Sequence, residues 1–171
     1  EMKQTASFND YLISPISRIE ILISLILSSI FNSVILGFMN IFLLNFFFNF
    51  IDINYLLVLF YLILTSLIFS SIGSIVGFLS YRWDMQQGFS NFFIIPVCYL
   101  SGTFFSLNSV NLNWQFILKY NPFYYLVNNF RKSFNNDYII GSNNEILLIF
   151  FSLLFITIAI FIFKKGYNVI L

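Results

Sequence analysis

An all-α membrane protein is the fold class this sequence predicts, and three observations predict it. Uncharged apolar runs recur at Ile21–Phe48, Tyr55–Tyr81 and Ile146–Phe163, each near or above the roughly 20 helical residues that cross a bilayer's hydrocarbon core. Charged residues make up 9% of the chain, against roughly 25% in soluble domains, so most of the surface does not face water. Short polar stretches at Phe50–Asn54, Arg82–Gly88 and Asn135–Asn144 separate the runs, as connections between spans must.

The rest of the composition narrows the chemistry. Mean hydropathy is +0.87 and net charge is only +1, so no strong field points to nucleic acid or an acidic partner. There is no histidine and one cysteine in 171 residues. That excludes an internal disulfide and argues against a zinc or haem site. The chain opens on Glu rather than Met and carries no signal-peptide pattern. It is expected to be a C-terminal part of a longer membrane protein.

In order, Phe8, Tyr11 and Leu12 stand at i, i+3 and i+4, which places them on one helix face. A short amphipathic helix over 5–14 is expected, against a membrane surface or a partner. Ser14-Pro15 resembles a cap followed by a first helical residue. Arg18 and Glu20 keep the next turn polar. The first span is expected over 19–48. Asn32, Asn40, Asn45, Ser28, Ser29 and Ser33 lie inside it, either as glue between helices, the favoured reading, or as a polar pathway wall.

The second span, 55–81, holds Gly73 and Gly77 four apart with Ser70 and Ser74. Such spacing permits close helix approach, within the subunit or between copies. Arg82–Gly88 is expected as a charged loop with Trp83 at the interface. The third span, 89–105, contains Pro96, which predicts a kink. Cys98 is a small apolar residue there.

An outer segment over 113–134 follows. Asn113 and Asn121-Pro122 give two cap signals. Phe123, Leu126, Val127, Phe130 and Phe134 form an apolar stripe opposed by Asn128, Asn129, Arg131 and Lys132. This predicts helices that lie in the interface or dip into it. Ser142 and Glu145 stand in capping-box relation ahead of the last span, 146–163, which ends in Lys164-Lys165-Gly166. Four spans put both ends on one side, with Lys3, Arg18, Arg82, Lys164 and Lys165, against Lys119, Arg131 and Lys132 on the other. The positive-inside rule then places both ends in the cytoplasm.

No paired carboxylates, nucleophile–base pair, phosphate-cradling glycine loop or metal-ligand cluster is legible, and past Glu20 at the mouth of the first span the spans hold no acid or base. The chain is therefore not expected to be an enzyme. It forms a passive path, a packing module, or a transporter driven by another domain or subunit.

Four stretches then carry a resemblance. YLISPISRIEI (Tyr11–Ile21), PVCYLSGTFF (Pro96–Phe105), NPFYYLVNNFR (Asn121–Arg131) and the tail KKGY occur in this order. Together they resemble the ABC-2 type permeases, membrane subunits of exporters of drugs, polysaccharides and lipid-linked glycans. The family often carries proline after the double Phe and Leu-Pro before Trp, where this chain has Ser106 and Leu112-Asn113.

The resemblance implies a bacterial cytoplasmic-membrane subunit of six spans, two of them preceding Glu1. It implies a permease homodimer with two cytoplasmic ABC ATPase subunits that carry ATP-Mg, and no cofactor on this chain. It makes the segment before Pro15 the coupling helix, with Phe8, Asp10, Tyr11, Leu12, Pro15, Arg18 and Glu20 at the ATPase contact. The outer segment becomes a re-entrant hairpin. Pro96, Ser101, Gly102, Phe104, Phe105, Asn121, Pro122 and Arg131 carry the family motifs, and Phe92, Phe93, Tyr99, Phe104 and Phe105 either line the path or face lipid and pack as ordinary aromatics of a phenylalanine-rich chain. The expected mechanism is alternating access. The alternative is a membrane-embedded assembly subunit without transport of its own.

Overall fold

The computed structural model describes residues 16–48, 53–80, 82–104, 115, 121–134 and 143–165. The described elements are all helical: α1 (Arg18–Phe48), α2 (Tyr55–Leu79), α3 (Trp83–Phe89), a π turn (Ser90–Ile94), α4 (Ile95–Tyr99), α5 (Pro122–Lys132) and α6 (Asn143–Lys165). Three of them, α1, α2 and α6, are long and apolar enough to cross a membrane.

α1 does not begin at Pro15, because Ile16 and Ser17 are not helical. Its start is a capping box one turn on. The Ser17 N–H donates to Glu20 Oε2 at 2.8 Å, and the Glu20 N–H donates to Ser17 Oγ at 3.3 Å. This reciprocal pair satisfies two free donors of the first turn. The expected helix at 5–14 lies outside the described residues. At 31 residues, α1 is about 46 Å long, longer than the hydrocarbon core and so long enough to span it with tilt. Its serines and Asn40 turn back to their own helix: Ser28 and Ser29 donate to Leu25 O, Ser33 to Ile30 O and Asn40 Nδ2 to Leu36 O at 2.7 Å. These four groups are satisfied on their own helix.

α2 is the centre of the bundle. Asn54 caps it by accepting from the Leu57 N–H. Six of its eight buried residues, Leu57, Tyr61, Leu64, Ile68, Ser71 and Phe78, recur at alternating steps of four and three, with Ile75 filling the remaining place; Val58 and Ser66 are buried beside that seam. That seam keeps one stripe turned inward along the whole helix. It meets two apolar clusters. At one end Leu22 and Ile26 of α1, Phe78 of α2, and Ala159 and Phe163 of α6 pack together. At the other, Leu57, Tyr61, Leu64 and Ile68 meet Leu126 of α5 and Leu148 of α6. α1 therefore runs antiparallel to α2, and α6 runs parallel to it. Arg18, Arg82, Lys164 and Lys165 gather at the first end and Arg131 and Lys132 at the far end, the partition expected for these residues.

The close approach in this bundle is at Gly37, where a Cβ would lie 2.6 Å from Leu62 Cδ1. Gly73 and Gly77, the expected pair, have nothing within 4 Å of that position. Packing inside the described chain does not use them.

The expected third span departs most. Helix begins at Trp83, inside the expected loop, and ends at Tyr99 rather than 105. Asp84 in the first turn favours the early start. The distortion expected at Pro96 appears immediately before it as the π turn, where the Ile95 N–H reaches back to Ser90 O. Widening the helix there relieves the proline ring's conflict with the preceding turn. No residue of α3, the π turn or α4 is buried.

Candidate functional site

The far end of the bundle brings two of the motif stretches together. Asn121 starts α5 as its N-cap: Oδ1 accepts from the Phe123 N–H at 3.0 Å, and Pro122 occupies the first helical position, as the Asn-Pro pair predicts. The other half of the same amide reaches away from α5, with Nδ2 donating to Val97 O of α4 at 3.3 Å. Ten residues later, Arg131 Nη2 donates to Gly102 O at 3.3 Å and to Thr103 O at 3.4 Å. The two polar ends of α5, about 15 Å apart along its axis, are thus hooked to the two ends of Val97–Thr103.

That stretch ends a helix. Leu100 N–H donates to Pro96 O, and Cys98 O accepts from the Ser101 N–H, from Ser101 Oγ and from Thr103 Oγ1. Gly102 follows with φ 77°, a left-handed conformation that glycine adopts without a Cβ penalty. The chain turns there and leaves the Gly102 and Thr103 carbonyls pointing outward. The Arg131 cation meets them at the negative end of the helix dipole. Pro96, Ser101, Gly102, Asn121, Pro122 and Arg131 therefore share one junction. Ser101 and Gly102 are buried in it. Phe104 is 72% exposed and stacks on Tyr99 at 5.1 Å. Phe92 and Phe93 are exposed at 85% and 63%, free of the bundle. Phe8, Asp10, Tyr11, Leu12, Pro15 and Phe105 lie outside the described residues. Arg18 and Glu20 sit at the start of α1, at the opposite end of the bundle.

Beneath α5 lies a buried polar layer that the sequence pattern did not reveal. Tyr61 Oη, on a side chain with no exposure, donates to Glu145 Oε1 at 2.9 Å. Glu145 uses this oxygen to tie α6 to α2; Ser142, its expected capping-box partner, lies outside the described residues. The Asn54 N–H donates to Ser133 O at 3.1 Å, joining the end of α5 to the start of α2. Asn129 is corrected from the polar face to the interior at 1% exposure, because Leu126, Asn129 and Ser133 turn inward together. Its Nδ2 has no hydrogen-bond partner among the described residues. Burial raises the Tyr124 phenol above its usual range, Tyr125 adds to this and Arg131 opposes it. The one available signal was a tyrosine and a carboxylate at the heads of two apolar runs, groups that seek each other where water is scarce.

The ABC-2 type transporter family model matches residues 2–135. The inner membrane transport permease YadH of Escherichia coli K12 is 30% identical over 97 residues, covering 57% of this chain and 36% of the relative. The YadH permease of Shigella flexneri matches to the same extent. The matched segment thus spans about a third of these relatives' length. No solved structure matches. With most of its length matched by the family model, and with three long apolar helices, the chain is a multi-pass membrane protein and belongs to the ABC-2 type transporter family.

Proposed function

We propose that this chain belongs to the membrane subunit of an ATP-driven exporter in a bacterial inner membrane. The observation that carries the reading is the contrast inside the bundle. α1, α2 and α6 are packed together, whereas the aromatic helix from Trp83 to Tyr99 buries no residue in them. A helix free of its own frame and rich in exposed aromatics suits a path wall shared with a second copy. In this reading Trp83–Thr103 is the third crossing of this chain, between α2 and α6, α5 belongs to the re-entrant outer segment, and both ends of the chain lie in the cytoplasm with Arg18, Arg82, Lys164 and Lys165.

Work enters at the other end. Two ABC ATPase subunits carrying ATP-Mg press on the segment formed by Phe8, Asp10, Tyr11 and Leu12. Pro15 and the Ser17–Glu20 box pass the displacement into α1 beside Arg18. The bundle tilts as a unit and the path opens alternately to each side, past Phe92, Phe93, Tyr99, Phe104 and Phe105. An apolar, aromatic path suits a drug-like or lipid-linked cargo or a polysaccharide's lipid carrier.

The test uses the full-length protein extracted from its native membrane in mild detergent. An ABC ATPase is expected to copurify in equal amount, and Phe8→Ala with Tyr11→Ala is expected to uncouple ATP hydrolysis from transport while the spans stay folded. If no ATPase copurifies under conditions that keep a known exporter intact, the reading fails in favour of an assembly subunit.

A further inference from the structure

Building on the exporter reading, we propose that Arg131 is a positioning residue: it latches the end of the Trp83–Thr103 segment to α5, and its release lets that segment move against the frame of α1, α2 and α6.

The two sides of the junction are unequally anchored. α5 is part of the frame: Leu126, Asn129 and Ser133 are buried, and Ser133 O accepts from the Asn54 N–H. The other side buries no helical residue of α3, the π turn or α4. Among the described residues, the Asn121 amide on Val97 O and the Arg131 guanidinium on the Gly102 and Thr103 carbonyls join them at the far end. Both are side-chain contacts to backbone oxygens, so opening the junction exchanges these bonds for water and uncovers Ser101 and Gly102, which are buried in it. Arg131 is itself exposed, and water reaches its half of the latch directly. The guanidinium fork suits two adjacent carbonyls at a helix end, a geometry that a lysine point charge does not reproduce. On the moving side, the π turn before Pro96 and the left-handed Gly102 are positions where a helix changes shape at low cost.

Cys98 reports on this junction, since it lies between Val97 and the Gly102 turn and is half-buried. The experiment places the full-length permease in lipid nanodiscs and follows an impermeant maleimide at Cys98 by mass spectrometry of its peptide. Loss of a charge-assisted hydrogen bond corresponds to about a tenfold change in an opening equilibrium. Arg131→Ala is therefore expected to label roughly tenfold faster than the native protein, with Arg131→Lys in between and Lys132→Ala, an equal loss of charge one residue on, close to native. Equal labelling of Arg131→Ala and the native chain at unchanged thermal stability overturns the latch, and so does equal acceleration by Lys132→Ala. Should Arg131→Ala fail to fold, hydrogen exchange of the native protein decides. Amides of Leu100 and Ser101 that exchange well ahead of those around Leu64 support the latch, and equally slow exchange contradicts it. None of these readings needs nucleotide, so a missing ATPase would remove the exporter reading while leaving the latch separately decided.

Discussion

α2 and the helix from Trp83 to Tyr99 are both apolar, yet they are built to opposite ends. α2 turns Leu57, Tyr61, Leu64, Ile68, Ser71 and Phe78 inward along one seam and meets α1, α5 and α6 on that seam. The second helix carries Phe92, Phe93, Ile95 and Tyr99 outward and is tied to the rest by amide and guanidinium contacts at its end. In a bilayer an apolar surface alone does not drive helices together; close packing and satisfied polar groups do. The comparison teaches that hydropathy marks both helices as membrane-compatible, while only the seam's spacing distinguishes the one that forms the frame.

The largest expected effect breaks the frame. Leu148→Ala, which empties a fully buried position between α6 and α2, is expected to cost about 2–4 kcal/mol, measured by detergent-induced unfolding of the purified protein. Phe92→Ala, on the exposed side, is expected to cost less than about 0.5 kcal/mol. Comparable losses at the two positions would erase the distinction between frame and free helix.

A smaller effect sharpens the polar layer. Tyr61→Phe and Glu145→Gln each disturb the buried bond between α2 and α6, and each is expected to cost about 1–2 kcal/mol. The double variant should cost clearly less than the sum, because both act on one contact. Simple additivity would show that the two side chains contribute independently.

The smallest effect separates two kinds of glycine. Gly37→Val forces a branched side chain toward Leu62, where even a Cβ meets Cδ1 at 2.6 Å, and is expected to cost roughly 1–2 kcal/mol. Gly73→Ala meets open space and is expected to be neutral or stabilising by up to about 1 kcal/mol from helix propensity. A loss at Gly73 in the full-length protein would mean that another membrane helix covers it.

Much of the fold was legible because spans announce themselves by length and charge. The bounds of α1, α2 and α6 differ from the apolar runs by a few residues, set by Ser17–Glu20, Asn54 and the closing lysines. Asn121-Pro122 marked the start of α5 correctly, since cap and proline act within one turn. The helix start at Trp83 was missed because a charged, polar stretch reads as a loop when its helix is short. Asn129 was placed on the wrong face because the amphipathic stripe predicts an apolar inner side, and here a buried amide lies beside Leu126 and Ser133. The Tyr61–Glu145 bond joins residues 84 positions apart, a pairing that local patterns do not encode. The Arg131 junction was visible as two motifs but not as a contact, because only the fold brings residue 102 beside 131.

The central claim is that the aromatic helix moves against a fixed frame when ATP is bound. It is tested most directly with the permease–ATPase complex in nanodiscs, carrying Phe92→Cys in a Cys98→Ser background. An impermeant thiol reagent is followed at residue 92 in the nucleotide-free and the ATP-trapped states. The account predicts a clear change in labelling rate between the two states, with a thiol at Leu64 silent in both. Equal rates at residue 92 in an active complex would contradict it.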